Sequence, residues 1–117
     1  MSINDHFEEL FAPLGGVTVR RMFGGRGIFR EGLMFALAHD DTLYLKVDEE
    51  TRAAFEAEDS EPFAPMMGGR TTEMGYWRLP ERLYDAPEAF VEWAQTAFEV
   101  AVRADGAKPR SKRKRRP

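Results

Sequence analysis

The chain has 117 residues, 43% of them hydrophobic and 12% aromatic, with a formal charge of −3 and no cysteine. That length and apolar content suit one domain with its own core, and the lack of cysteine excludes a disulfide framework, cysteine zinc sites and thiol catalysis. The charge is divided: residues 1–107 hold 10 basic and 20 acidic residues, whereas Lys108 to Pro117 hold 7 basic residues and no acid, so an acidic body carries a basic tail.

The first residues, Met1 to His6, have neither a basic region nor an apolar run and do not read as a signal peptide. No stretch approaches the ~18 apolar residues of a membrane span, so a soluble cytoplasmic protein with no membrane contact is expected. Ser2 to Leu14 is predicted helical, because Phe7, Leu10, Phe11 and Leu14 fall on one stripe, and Gly15-Gly16 ends it. Val17 to Phe23, Gly27 to Arg30, Leu33 to Ala38 and Leu43 to Val47 are strand candidates, with turn chemistry at residues 39–42. Their closeness in sequence predicts an antiparallel meander. Asp48 is placed to cap a second helix running to about Glu58, with Ala54 and Phe55 facing the core. Phe63 to Met67 and Thr71 to Leu79 are predicted to form a hairpin turning at residues 68–70. Asp85-Ala86-Pro87-Glu88 reads as the capped start of a last helix whose Phe90, Trp93, Ala94, Ala97, Phe98 and Ala101 recur at helical spacing, stopped by Gly106. Lys108 to Pro117 has no apolar side chain to bury apart from its prolines and is expected to be disordered when free.

The densest stretch is Arg20 to Arg30, with three glycines, two phenylalanines and four arginines in eleven residues. It is neither a P-loop nor a dinucleotide fingerprint, since no Lys-Ser/Thr follows the glycines and a strand comes next. Arg21, Gly24, Gly25 and Arg26 make an anion site conceivable through backbone N–H groups and a guanidinium, against the plainer reading of a bulge or tight turn needed by the sheet. Arg21-Met22-Phe23-Gly24-Gly25, Gly27-Ile28-Phe29, Gly32-Leu33-Met34-Phe35-Ala36 and Leu43-Tyr44-Leu45-Lys46-Val47-Asp48, in that order, resemble the N-terminal domain of the TfoX/Sxy competence regulators. Glu61-Pro62-Phe63 and Tyr76-Trp77 ahead of a proline-capped last helix also fit, and the resemblance covers roughly residues 8 to 103. It implies a bacterial, non-enzymatic regulatory module linked to competence or transcription. Full-length regulators of this family carry a second, C-terminal domain where a short basic tail follows here.

No catalytic set stands out. His6 and His39 are far apart and lack ligand spacing, so no metal site is expected, and Ser2, Ser60 and Ser111 sit in no nucleophile elbow. No cofactor is expected. Tyr44 and Lys46 alternate with Leu43 and Leu45, and Tyr76 and Arg78 share a parity on another strand, so the four are placed on one sheet face. Aromatics interleaved with cations suit single-stranded nucleic acid or an acidic peptide, although an ordinary amphipathic surface has the same pattern. In the tail, Lys108, Arg110, Lys112, Arg113, Lys114, Arg115 and Arg116 are candidates for sequence-independent contact with DNA or RNA.

The expected fold is α+β: a two-layer domain over residues 1–105, with a mainly antiparallel sheet of five or six strands, helices on one face and the order α-β-β-β-β-α-β-β-α, followed by a basic tail over 106–117. The expected core is Phe7, Leu10, Phe11, Phe35, Leu37, Leu43, Leu45, Val47, Phe55, Phe90, Trp93, Ala97 and Phe98. The expected partners are a protein and, through the tail, nucleic acid; the protein is expected to be a monomer or homodimer. The alternative function is a small-molecule binder or small enzyme using a cleft between sheet and helices.

Overall fold

Strands joined by two-residue turns have only their sequence neighbours within reach. A computed structural model, which describes residues 3–22, 24–64, 66, 67, 70, 71 and 75–106, shows this for the first four strands. The elements are α1 (Ile3–Phe11), β1 (Val17–Met22), β2 (Gly25–Arg30), β3 (Leu33–His39), β4 (Thr42–Lys46), α2 (Arg52–Ala57), β5 (Met66–Met67), β6 (Arg70–Thr71), β7 (Tyr76–Arg78), a 3-10 turn (Glu81–Asp85) and α3 (Pro87–Gly106). Strands β1-β2-β3-β4-β7 form one antiparallel sheet in that order. The β2–β3 and β3–β4 turns each place two residues at positive φ, Glu31 and Gly32 in one, Asp40 and Asp41 in the other, the geometry that matches strand twist.

The expected α+β layering is what the molecule has, with three local departures. The hairpin expected over residues 63–79 is present, but its ladder is split in two: β5 pairs with β6 near the turn, and residues 61–63 pair with β7, whose other edge joins β4. Residues 61–63 run along the edge of β7 away from β4. Pro62 bridges Trp77, the Phe63 N–H donates to the Tyr76 carbonyl at 2.7 Å and the Arg78 N–H to the Glu61 carbonyl at 2.9 Å. A proline without an N–H is tolerated at such an edge. The second departure is a bulge: Phe29 pairs with Met34 but Ile28 with Ala36, so the extra residue, Phe35, joins Ala36 in the core. The third is at the helix ends. α1 stops at Phe11 rather than Leu14, since the residue before Pro13 is disfavoured in a helix. α3 begins at Pro87 with the Phe90 N–H on the Ala86 carbonyl at 2.8 Å, so the cap is Ala86 rather than Asp85, and Pro87 sits where its missing N–H costs nothing.

The helices cover one face of the sheet. Phe11 packs edge-on against Phe35 and Phe90, with ring centroids 5.6 and 5.0 Å away, and Phe35 meets Phe98 at 5.9 Å. Phe7, Phe11, Phe35, Leu43, Leu45, Phe55, Phe90, Ala97 and Phe98 are buried in one cluster, as expected, together with Val19, Ile28, Leu33, Leu79 and others. Leu10, Val47 and Trp93 are only half-buried at its margin. Ala54, expected inside, is exposed, because a helix as short as α2 turns only Phe55 inward. The α2 end of the molecule is clasped to α3. The Asp48 carboxylate accepts the N–H groups of Glu50 and Thr51 at 3.1 and 3.2 Å, and Arg103 donates to it at 2.9 Å while its Nε lies 3.0 Å from Glu50. Burial pushes the Asp48 carboxyl up, but Arg103 and those N–H groups outweigh it and hold it below the ordinary value.

Candidate functional site

The face of the sheet away from the helices carries the candidate site, and the register builds it row by row. In an antiparallel ladder opposed residues share a face. Tyr44 opposes Arg78, and Lys46 opposes Tyr76, so the four residues placed together by parity do stand together. Following the ladder outward, Tyr44 opposes Leu37, Leu37 opposes Gly27, and Gly27 opposes Arg20. One row across five strands therefore reads Arg20, Gly27, Leu37, Tyr44, Arg78. The neighbouring row brings Phe29 beside Met34, and the Tyr76 hydroxyl donates to the Met34 carbonyl at 3.4 Å.

Aromatic rings and cations interleave on this face. The Arg20 guanidinium lies 5.3 Å from the Phe29 ring centre and the Lys46 ammonium 4.9 Å from that of Tyr76. Phe63, from the segment alongside β7, folds back over Tyr44 at 4.7 Å and His39 at 5.5 Å. Arg78 is exposed, with Glu61 3.8 Å away. Burial pushes the Tyr76 phenol up to about 12 and raises that of Tyr44, against the pull of Arg78. Both stay protonated donors across the physiological range. Such a face can stack planar groups and pair with anions, and among its described residues no nucleophile is hydrogen-bonded to a base.

The glycine stretch does not join this face as one site. Strand alternation puts Arg26 on the side of buried Ile28, and Arg21 opposes Arg26, so both arginines belong to the helix side at the sheet's end. Gly24 takes φ +80° in the connection between β1 and β2. Gly25 lets β2 approach β3, and a Cβ there would fall onto the Ala38 carbonyl oxygen. Both glycines thus have geometric reasons to be glycine. The residues missed from sequence are Arg20, Phe29, Met34, Leu37 and Phe63. The first four follow from the parity of Tyr44 once register is known; Phe63 arrives through the expected hairpin, whose second arm lies beside β4. The tail cations, Lys108 to Arg116, lie outside the described residues.

On the helix side, α2 and α3 enclose an open groove of about 360 Å³. Among the described residues no group of three or more His, Asp, Glu or Cys is gathered to hold a metal, and no helix is long and apolar enough to cross a membrane. Compared with known proteins, residues 9–101 match the model of the TfoX N-terminal domain. The DNA transformation protein TfoX1 of Aliivibrio fischeri (strain ATCC 700601 / ES114) is 33% identical over 98 residues, covering 80% of this chain and 47% of that protein. The chain therefore spans about half the length of the curated relative it matches.

Proposed function

We propose that this chain, which belongs to the TfoX N-terminal-domain family, is a non-enzymatic regulatory module of competence or transcription, acting in the cytoplasm through a protein partner. Family membership carries the reading, and the name of the Aliivibrio relative, a DNA transformation protein, gives it direction. The helix-free sheet face supports a partner role: it offers rings and cations from β1, β2, β4 and β7 without a catalytic pair. The tail acts as a sequence-independent nucleic-acid anchor, while the acidic body stands off from phosphates.

The test has two arms. In a naturally competent host lacking its own TfoX protein, the chain changes transformation frequency, and Tyr44→Ala with Arg78→Glu removes that effect while the protein stays folded. An unchanged effect in the double variant overturns the sheet face as the partner surface. In vitro, the full chain binds a fluorescent duplex with a log–log salt slope of about −4 to −6, at ~0.9 per phosphate contact. Replacing the seven tail cations by glutamine abolishes that binding; equal binding by parent and variant overturns the anchor.

A further inference from the structure

The large sheet ends differently on its two sides. At the β7 end the edge is taken by residues 61–63. At the other end lies β1, and no described residue outside β2 bonds to its backbone. In an antiparallel pair alternate residues turn both N–H and C=O to the neighbour, so half of this six-residue strand turns them outward. Edges of this kind are guarded by shortness, proline, a bulge or charge. β1 has no proline and keeps unbroken register with β2 over all six residues. Its guard is charge of one sign, Arg20 and Arg21, both exposed. Arg20 lies against the Phe29 ring, and neither arginine is paired with an acid among the described residues. From Val17 to Arg30 the sequence holds four arginines and no acid, within a body that has twice as many acids as bases.

We infer that β1 is the docking edge for an extended, acidic segment of a protein partner, which adds to the sheet as a sixth strand. This rests on the reading of the chain as a partner-binding module and adds to it a surface and a chemistry. The outward backbone groups of β1 supply the pairing, and alternate side chains of the added strand select its sequence. Successive strand residues point to opposite faces, so Arg20 reads an acid on the helix-free face and Arg21 one on the helix side. α1 packs on β1, and Leu10 and Val17 are half-buried, so the helix side also offers apolar contact to the residue opposite Val19. The matching pattern is two successive acids followed by an apolar residue, antiparallel to Val19-Arg20-Arg21. A second copy is the wrong occupant: β1 against β1 sets four arginines on adjacent strands with no acid among them, and like charges across strands repel. A nucleic-acid backbone is wrong as well, because its phosphates bring no donor for the outward carbonyls.

The probe is the hexapeptide TEEVTV, capped at both ends and titrated into isotope-labelled full-length chain by heteronuclear NMR. In a chain whose seven tail cations are replaced by glutamine, so that only the body captures acid, amide shifts concentrate on residues 17–22. There TQQVTV binds about tenfold more weakly, and Arg20→Gln with Arg21→Gln loses about the same factor for TEEVTV. N-methylation then separates edge pairing from surface charge. Methyl groups on alternate peptide amides, in the two possible phases, give two probes with identical side chains. One phase blocks the amides that face β1 and abolishes binding, and the other leaves them free and keeps it. This pair is run on the unsubstituted chain, whose tail attracts both alike, and it decides should either variant fail to fold. Equal binding by the two phases, or by TEEVTV and TQQVTV, overturns the inference. So does a chain that is already dimeric through β1 before peptide is added, by light scattering and β1 amide protection. Absence of TEEVTV binding overturns the edge but leaves the effect on transformation frequency standing, so the two readings fail separately.

Discussion

A Cβ on Gly25 would meet the Ala38 carbonyl, a backbone atom held in the β3 ladder, whereas one on Gly24 would meet nothing within 4 Å. Substitution at Gly24 therefore costs only the conformational penalty of φ +80°, about 1 kcal/mol for alanine. Gly25→Ala must move strand backbone and costs about 2 kcal/mol or more. Urea denaturation of both variants checks the order, and a Gly25→Ala protein as stable as the parent removes the close-approach argument. Gly27 is constrained differently. A Cβ there would lie 2.5 Å from the Met22 sulfur, 2.9 Å from the Phe29 ring and 3.0 Å from the Met34 sulfur, which form a roof over it on the helix-free face. Tyr76 gives the pH prediction at this scale. Its phenol is raised by burial to about 12 from an ordinary 10.0, so its protonated form is favoured by folding. That contribution is fully present below pH 10.0 and is lost as pH rises through about 12. In a spectrophotometric titration, Tyr76→Phe removes an absorbance step near pH 12; loss of a step near 10 instead contradicts the burial.

At the scale of the element, α3 holds the sheet through residues of unequal standing. Phe90 is 1% exposed and touches Phe11, so Phe90→Ala costs about 3–5 kcal/mol. Trp93, expected beside it in the core, is half-buried against Phe55 at the groove, and Trp93→Ala costs less. Thermal melts of the two variants check the difference; equal losses contradict the placement of Trp93 at the margin. The stripe of α3 was legible from its 3-4 spacing, but not which of its large residues lie deep. That depends on how far α2 extends over the sheet, and α2 has only six residues.

For the whole molecule, α1, the sheet, α2, the 3-10 turn and α3 contribute to a single cluster of buried residues. One core among the described residues predicts a single cooperative transition. Tryptophan fluorescence and far-UV circular dichroism should trace the same denaturation curve, with the same midpoint. Two separated midpoints contradict a single core. The Asp48–Arg103 clasp joins elements 55 residues apart and should break within that same transition.

What the sequence by itself determined is local. Alternation in β4 and β7 assigned Tyr44, Lys46, Tyr76 and Arg78 to one face, helical spacing marked α3, and turn chemistry marked the β3–β4 connection, because backbone sterics and hydrogen-bond competition act over a few residues. The tertiary structure alone decided what depends on register between distant segments. The bulge that turns both Phe35 and Ala36 inward is a mismatch between two strands, and neither strand carries its signal. The run of 61–63 along β7 continues the expected hairpin, but that it brings Phe63 over Tyr44 follows from the pairing of β7 with the distant β4. The separation of Arg21 and Arg26 from the aromatic face follows from pairing as well. Nearness in sequence put these arginines beside the glycines, but the two sides of a pleated strand face opposite solvents.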